Sequence, residues 1–118
     1  MPDTSKLEHG IELFNSGRYF DAHEVLEDVW RDSHGADKRT LQGLVQLAVA
    51  LHHHSTGNLT GARSVMARAA AKLDDAPDAL LGLSLPPLRA AIRRWQAALA
   101  EGTPLPEPPR LHIARHGC

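Results

Sequence analysis

The residues best suited to chemistry lie near the start of the chain, in the segment Y-F-D-A-H-E-V-L-E-D-V-W. From His23 it reads H-E-x-x-E, one letter away from the zinc metalloprotease pattern H-E-x-x-H. That pattern supplies two histidine ligands on one helix face, with the glutamate as general base. Here Glu27 stands in place of the second histidine. The segment therefore offers two ligands, His23 and Glu27, and a metal would need a third from elsewhere.

A helical wheel separates the polar residues of this segment. At about 100° per residue, His23, Glu27 and Trp30 fall together at one edge of the apolar face. Glu24 points nearly away from that face. Glu24 also follows Asp21 by three residues, so D-x-x-E predicts a capping box at the helix start. Glu24 is therefore expected to cap the helix or to lie on the surface, and the alternative is that it belongs to a site.

A second polar stripe lies on the most apolar segment of the chain, L-Q-G-L-V-Q-L-A-V-A-L-H-H-H. Gln42, Gln46, Val49 and His53 recur at helical spacing there. Burying two amides and an imidazole costs free energy unless they are hydrogen-bonded. We therefore expect this stripe to face the edge formed by His23 and Glu27, giving one buried polar cluster.

Three interpretations of this cluster stay open, one of which is that the helical wheel misleads and these residues are solvated. The simpler one is an internal hydrogen-bond network that fixes how the helices dock. The sharper one is a pocket for a small ligand or for a metal held by His23, Glu27 and His53, since two imidazoles and a carboxylate suit Zn²⁺ or Fe²⁺. The pocket candidates are His23, Glu24, Glu27, Trp30, Gln42, Gln46, His53 and Asn58.

Two further groups of histidines resemble metal chelators. His52, His53 and His54 are consecutive, so on a helix they diverge by about 100° each and cannot share one ion. We expect His52 to point toward the core and His54 to lie near the surface. The C-terminal L-H-I-A-R-H-G-C could bind a metal through His112, His116 and Cys118, but a tail that is mobile or laid along the surface is the simpler interpretation.

Helical periodicity dominates the rest of the chain and predicts an all-α fold of about five helices without strands. The expected helices cover about 7–14, 20–32, 37–56, 59–73 and 86–99. The third is apolar around most of its circumference and should be the central one. We predict a single domain over 1–102 and a proline-rich tail over 103–118.

A short repeat marks two of the predicted turns between helices. Gly17–Ala22 and Gly57–Ala62 both read G-x-[YL]-x-x-A, offset by 40 residues. Glycine allows the tight reversal, and alanine allows the paired helices to approach closely. The spacing is that of a tetratricopeptide hairpin turn, but two copies are too few for a solenoid. We expect a compact bundle built on two such hairpins.

Bulk composition excludes several classes of function. The formal net charge of −1 gives no sign of nucleic-acid binding or of an anionic membrane surface. No apolar run approaches the roughly 18 residues that a membrane span needs, and the start M-P-D-T-S-K-L-E-H-G has no signal-peptide pattern. The single cysteine is the last residue, so no internal disulfide is expected. Cytoplasm is the expected location.

Three linked motifs resemble a known family. F-N-S-G-R-Y-F-D-A-H-E-V-L-E-D-V-W, L-Q-G-L-V-Q-L-A-V-A-L-H-H and G-N-L-T-G-A are similar to domain-of-unknown-function family 309, a small prokaryotic family, over about 10–75. The resemblance implies a compact all-α fold and no particular reaction, because the family has no assigned activity. Its shared motif residues stand here as Phe14, Gly17, His23, Glu24, Glu27, Trp30, Gln42, Gly43, Gln46, His53, Gly57, Asn58, Gly61 and Ala62.

These observations favour a binding or scaffolding module that holds a protein or small-molecule partner. The alternative is a metal- or small-ligand-binding protein, with a metal-dependent hydrolase using His23, Glu27 and His53 as its most specific form, and Glu24 as the base. A purely structural role for the polar cluster is the third hypothesis. No established catalytic motif is present, and homo-oligomerisation is left open.

Overall fold

A computed structural model describes residues 5–113, and five helices carry most of them. They are α1 (Ser5–Asn15), α2 (Tyr19–Arg31), α3 (Gly35–Ser55), α4 (Leu59–Asp74) and α5 (Pro86–Glu101). Their bounds lie close to those expected from periodicity, and the predicted all-α class is confirmed.

The third helix is the centre of the fold. It packs against α2 and against α4, while α1 packs on α2 and α5 packs on α4. Its leucines Leu41, Leu44 and Leu47 are completely buried. The expectation of a central, mostly apolar helix is therefore correct. The core is aliphatic apart from Phe14 and Trp95, so the helices approach closely.

The repeated sequence motif forms the same turn twice. Gly17 has a φ of +83° and Gly57 a φ of +84°, a left-handed conformation that glycine adopts without strain. Each turn closes with the backbone hydrogen bonds of a Schellman motif. The finer prediction of a tetratricopeptide-like hairpin is not confirmed. The hydrogen bond that spans more of the chain in each turn runs from the Arg18 amide to the Leu13 carbonyl (2.9 Å) and from the Asn58 amide to the His53 carbonyl (2.8 Å).

A small antiparallel sheet is present that periodicity did not predict. Its strands are β1 (Ala79–Leu80), β2 (Leu83–Ser84) and β3 (His112–Ile113), in the order β1-β2-β3. Two residues are too few to show an alternating pattern, which is why the sequence does not reveal these strands. The sheet buries Leu80 and Leu83 against the helices.

The proline-rich segment after α5 lies along the helices up to the end of the described chain. The side chain of Asn15 on α1 bonds both backbone groups of Leu111, which is buried. The indole Nε1 of Trp95 on α5 donates to the Glu107 carbonyl at 2.9 Å. His116 and Cys118 lie outside the described residues. The domain boundary after residue 102 stays a prediction.

None of the helices within residues 5–113 is long and apolar enough to span a bilayer.

Candidate functional site

The H-E-x-x-E segment places its His and second Glu together on α2. His23 Nε2 lies 3.2 Å from Glu27 Oε2. The two side chains meet because residues four positions apart lie one turn apart on the same helix face. Their side chains are 26% and 36% exposed, so the pair is half-buried. The contact is an ion pair when His23 is protonated and a hydrogen bond when it is neutral.

Glu27 is also held from its other side. Arg31 lies one turn further along α2, with its guanidinium 3.8 Å from Glu27 and 2.7 Å from Asp28. The carboxylate of Glu27 therefore stands between an imidazole and a guanidinium. Both partners of Glu27 therefore lie on its own helix, one turn before it and one turn after it.

His23 lines a cleft between the start of α2 and the last turns of α3. The other lining residues are Phe20, Val49, His52 and His53, and the cleft volume is about 270 Å³. The Phe20 ring lies 5.8 Å from the His23 ring and 5.4 Å from the His52 ring, centroid to centroid. Phe20 is 51% exposed, so a large apolar ring forms one wall of the cleft and faces solvent.

One hydrogen-bond chain connects the cleft to the turn before α4. Asn58 caps α4 by accepting a hydrogen bond from the Gly61 amide at 2.9 Å through its Oδ1. Its Nδ2 lies 3.3 Å from Nδ1 of His53. Gly61 permits this arrangement, since a Cβ at residue 61 would lie 2.5 Å from Asn58 Nδ2. The motif G-N-L-T-G thus positions a cleft residue.

The remaining predicted residues do not join a single buried cluster. Gln46 accepts a hydrogen bond from Lys72 on α4 at 2.9 Å, and so has its partner on α4 rather than in the H-E-x-x-E segment of α2. Trp30 lies under the Lys38 ammonium, which is 4.7 Å from its ring centroid. Gln42 is half-buried. Among residues 5–113 the buried polar side chain is that of Thr40, so the expected buried cluster is instead a set of half-buried local contacts.

The capping box expected at the start of α2 is absent. The helix begins one turn earlier than that prediction requires, with Arg18 at the N-cap and without a side-chain cap bond. Asp21 pairs with the Arg18 guanidinium at 2.7 Å. Glu24 is exposed. The prediction that Asp21 and Glu24 form a capping box was therefore wrong.

The three consecutive histidines diverge as helix geometry requires. His52 contacts Phe20, and His53 contacts Asn58. His54 packs edge-on against Trp95 of α5, with the ring centroids 5.1 Å apart, so it is half-buried rather than near the surface. His52 lines the cleft instead of pointing into the core. Each of the three histidines therefore contacts a different residue.

The predicted metal set of His23, Glu27 and His53 is not confirmed. Within residues 5–113 no three His, Cys, Asp or Glu side chains converge as a metal site. A metal-bound histidine usually donates its second ring N–H to an acceptor. The partner of His53 Nδ1 is instead the amide nitrogen of Asn58, which only donates.

Three residues that line the cleft were not among the pocket residues expected from the sequence: Phe20, Val49 and His52. The signal for Phe20 was available in the repeat, because Thr60 occupies the matching position of the second copy. A bulky apolar residue that the hairpin does not need suggests a separate role. No comparable signal existed for His52, because its contact with Phe20 joins residues 32 positions apart in the chain.

Comparison with known proteins finds a family model and uncharacterized relatives that match this chain. The family described as "Domain of unknown function (DUF309)" matches residues 7–65. The uncharacterized protein YpuF of Bacillus subtilis is 40% identical over 62 residues, which is 52% of this chain and 36% of that protein. An uncharacterized protein of Aquifex aeolicus is 30% identical over 99 residues, 83% of this chain and 30% of that protein. The chain thus spans about a third of the length of these relatives.

Proposed function

This chain belongs to the DUF309 family, and we propose that it is a binding module whose cleft between α2 and α3 takes a small, largely apolar molecule. The observation that carries the proposal is the combination of an exposed Phe20 ring with His23, Val49, His52 and His53 around one cleft.

The walls of the cleft explain the kind of ligand. Phe20 and Val49 supply apolar surface, and the imidazoles of His23, His52 and His53 supply flat faces with polar edges. Ligand pockets commonly combine apolar walls with a few polar groups that set orientation. At about 270 Å³ the cleft is slightly smaller than the usual ligand pocket of roughly 300–1,000 Å³, so it suits a molecule of roughly the size of a substituted benzene.

The other hypotheses have less support. A metal-dependent hydrolase needs the ligand set of His23, Glu27 and His53. The Nδ1 of His53 faces a donor, the amide nitrogen of Asn58, whereas the second nitrogen of a metal-bound histidine usually faces an acceptor. A scaffold for a partner helix needs a continuous apolar groove. The large exposed apolar side chains of residues 5–113 stand on separate segments: Phe20 on α2, Leu59 on α4, Leu81 between β1 and β2, and Ile113 on β3.

Binding of acetophenone, followed by amide chemical shifts, tests the proposal. We expect saturable shifts at the residues lining the cleft. Phe20→Ala removes one wall and should weaken binding about fivefold to tenfold, as expected for one aromatic contact with its burial. The stability of Phe20→Ala should change little, because the ring is half exposed.

Leu59→Ala is the matched control for this experiment. Leu59 is 49% exposed, nearly the same as Phe20, and it also lies at the start of a helix. It does not line the cleft. Affinity in this variant should equal that of the wild-type protein. An equal loss of affinity in both variants, or shifts scattered over the whole chain, would refute the proposed site.

A further inference from the structure

Asn58 has its amide orientation set by the backbone. A backbone N–H can only donate, so the atom that receives the Gly61 amide at 2.9 Å is the oxygen Oδ1. The amide nitrogen Nδ2 is therefore the atom that faces His53, at 3.3 Å. A Cβ at residue 61 would lie 2.5 Å from Asn58 Nδ2, so the glycine leaves room for this orientation of the side chain.

This orientation determines the tautomer of His53. Because Asn58 Nδ2 is a donor, the Nδ1 of a neutral His53 must accept, and the ring proton must lie on Nε2. His53 lines the cleft. Its Nε2–H is then free to donate a hydrogen bond to a ligand there.

We infer that Asn58 holds His53 as a fixed hydrogen-bond donor, and that the cleft selects a neutral apolar molecule carrying a carbonyl-type acceptor. The ligand class rests on the proposed function of the cleft. The role of Asn58 as a positioning residue rests on the hydrogen-bond geometry alone.

The charges around the cleft disfavour an anionic ligand. His53 stands in the last turn of α3, where the helix dipole places partial negative charge. Glu27 adds a carboxylate beside His23. Glu27 does not line the cleft itself, so the end of α3 is the nearer negative charge for a bound carboxylate. A neutral carbonyl can accept from Nε2–H without that repulsion. An acceptor without a formal charge therefore fits this cleft better.

The variant Asn58→Asp isolates the role of the amide. Aspartate is as good an N-cap as asparagine, so α4 keeps its cap and the protein keeps its stability. Its carboxylate has no donor, so above pH 8.5, where ordinary imidazoles are neutral, His53 should place its proton on Nδ1. Long-range proton–nitrogen correlation of the imidazoles reports which nitrogen carries the proton.

We expect the Nε2–H form in the wild-type protein and the Nδ1–H form in Asn58→Asp. Asn58→Ser retains an N-cap but is too short to reach His53, so it separates capping from positioning. If Asn58 were only a cap, the His53 signals would be alike in all three proteins. That result, or an Nδ1–H form in the wild type, would overturn the inference.

Two probes test the ligand class. Acetophenone carries a carbonyl acceptor, and ethylbenzene has a similar shape without one. The wild-type protein should bind acetophenone about threefold to tenfold more tightly, the effect of one hydrogen bond, and benzoate more weakly than acetophenone. Asn58→Asp should abolish the preference for acetophenone at pH 8.5.

Equal binding of acetophenone and ethylbenzene by the wild type would refute the ligand class while leaving the cleft as a binding site. Binding of neither would refute the proposed function, and the nitrogen signals would still decide the role of Asn58.

Discussion

Tyr19 lies half-buried at the first turn of α2, with its ring edge-on to Phe14 at a centroid distance of 5.4 Å. Burial raises the pKa of Tyr19 above its ordinary value of 10.0, because the phenolate loses hydration inside the protein. A raised pKa in the folded state means that folding disfavours the deprotonated form. The stability linked to Tyr19 is therefore complete below pH 10 and is lost as the pH rises through the folded value.

We predict that alkaline pH destabilises the protein partly through Tyr19. The free energy of unfolding should fall less steeply above pH 10 in Tyr19→Phe than in the wild type, since phenylalanine keeps the packing without the ionisation. Urea denaturation at successive pH values measures the difference. Tyr19 is the only tyrosine of the chain, so phenolate absorbance reports it directly. Titration of the folded protein at the ordinary value would contradict the prediction.

Each polar residue of the candidate site pairs with its own neighbour and not with a shared network. His23 pairs with Glu27 one turn away, and Gln46 pairs with Lys72 across the α3–α4 contact. No buried side-chain polar atom of the described residues lacks a hydrogen-bond partner. Because each group finds a partner close by, the protein does not need one buried polar network to satisfy them.

At the scale of secondary-structure elements, the end of α4 depends on a side chain from α5. Arg89 donates to the carbonyls of Leu73 at 2.8 Å, of Ala76 at 2.5 Å and of Pro77 at 3.0 Å, and it pairs with Asp78 at 2.8 Å. Its side chain is 14% exposed. A planar guanidinium can serve several acceptors at once, which a lysine ammonium on a flexible stem does poorly.

Arg89→Lys should therefore destabilise the protein by about 1–3 kcal/mol, the cost of leaving partly buried carbonyls unpaired. Urea denaturation measures this loss, and the slope of the unfolding free energy against urea concentration should stay unchanged. Arg94→Lys on the same helix is the control, because Arg94 is exposed and should change stability by less than about 0.5 kcal/mol. Equal effects of the two substitutions would mean that the capping contacts contribute little.

At the scale of the whole molecule, the segment after α5 joins the two ends of the helical array. Asn15 Nδ2 donates to the Leu111 carbonyl at 2.9 Å, and the Leu111 amide donates to Asn15 Oδ1 at 2.8 Å. The amide side chain of Asn15 thus pairs with Leu111 as a neighbouring strand would. The residues that form these bonds are 96 positions apart in the chain.

Asn15→Ala should release this segment without unfolding the helices. The Leu111 amide loses its acceptor, so its hydrogen exchange should accelerate, together with that of the Trp95 indole N–H that bonds Glu107. Global stability should fall by about 1–3 kcal/mol, since partly buried groups are left unpaired. Native-state hydrogen exchange followed by NMR gives both quantities.

Thr103→Ala is the control for this prediction, because Thr103 is exposed at the start of the same segment. Its substitution should leave both exchange rates unchanged. If Leu111 exchanged equally slowly in the wild type and in Asn15→Ala, the side chain of Asn15 would not be what holds the segment.

The sequence by itself determined the features that depend on local order. Five helices, the central position of α3 and the two matching turns at Gly17 and Gly57 follow from spacing within a few residues. The pairing of His23 with Glu27 follows for the same reason, because one helix turn separates them. These predictions succeeded since helix geometry converts sequence spacing into position.

Only the tertiary structure decided which distant residues meet. It brought Phe20 to His52 and turned Gln46 toward Lys72 rather than toward His23. It also seated Leu111 against Asn15 and gave the Arg89 guanidinium its carbonyl partners. Each of these contacts depends on how helices rotate and pack against one another, and helical periodicity carries no information about that rotation beyond the apolar face.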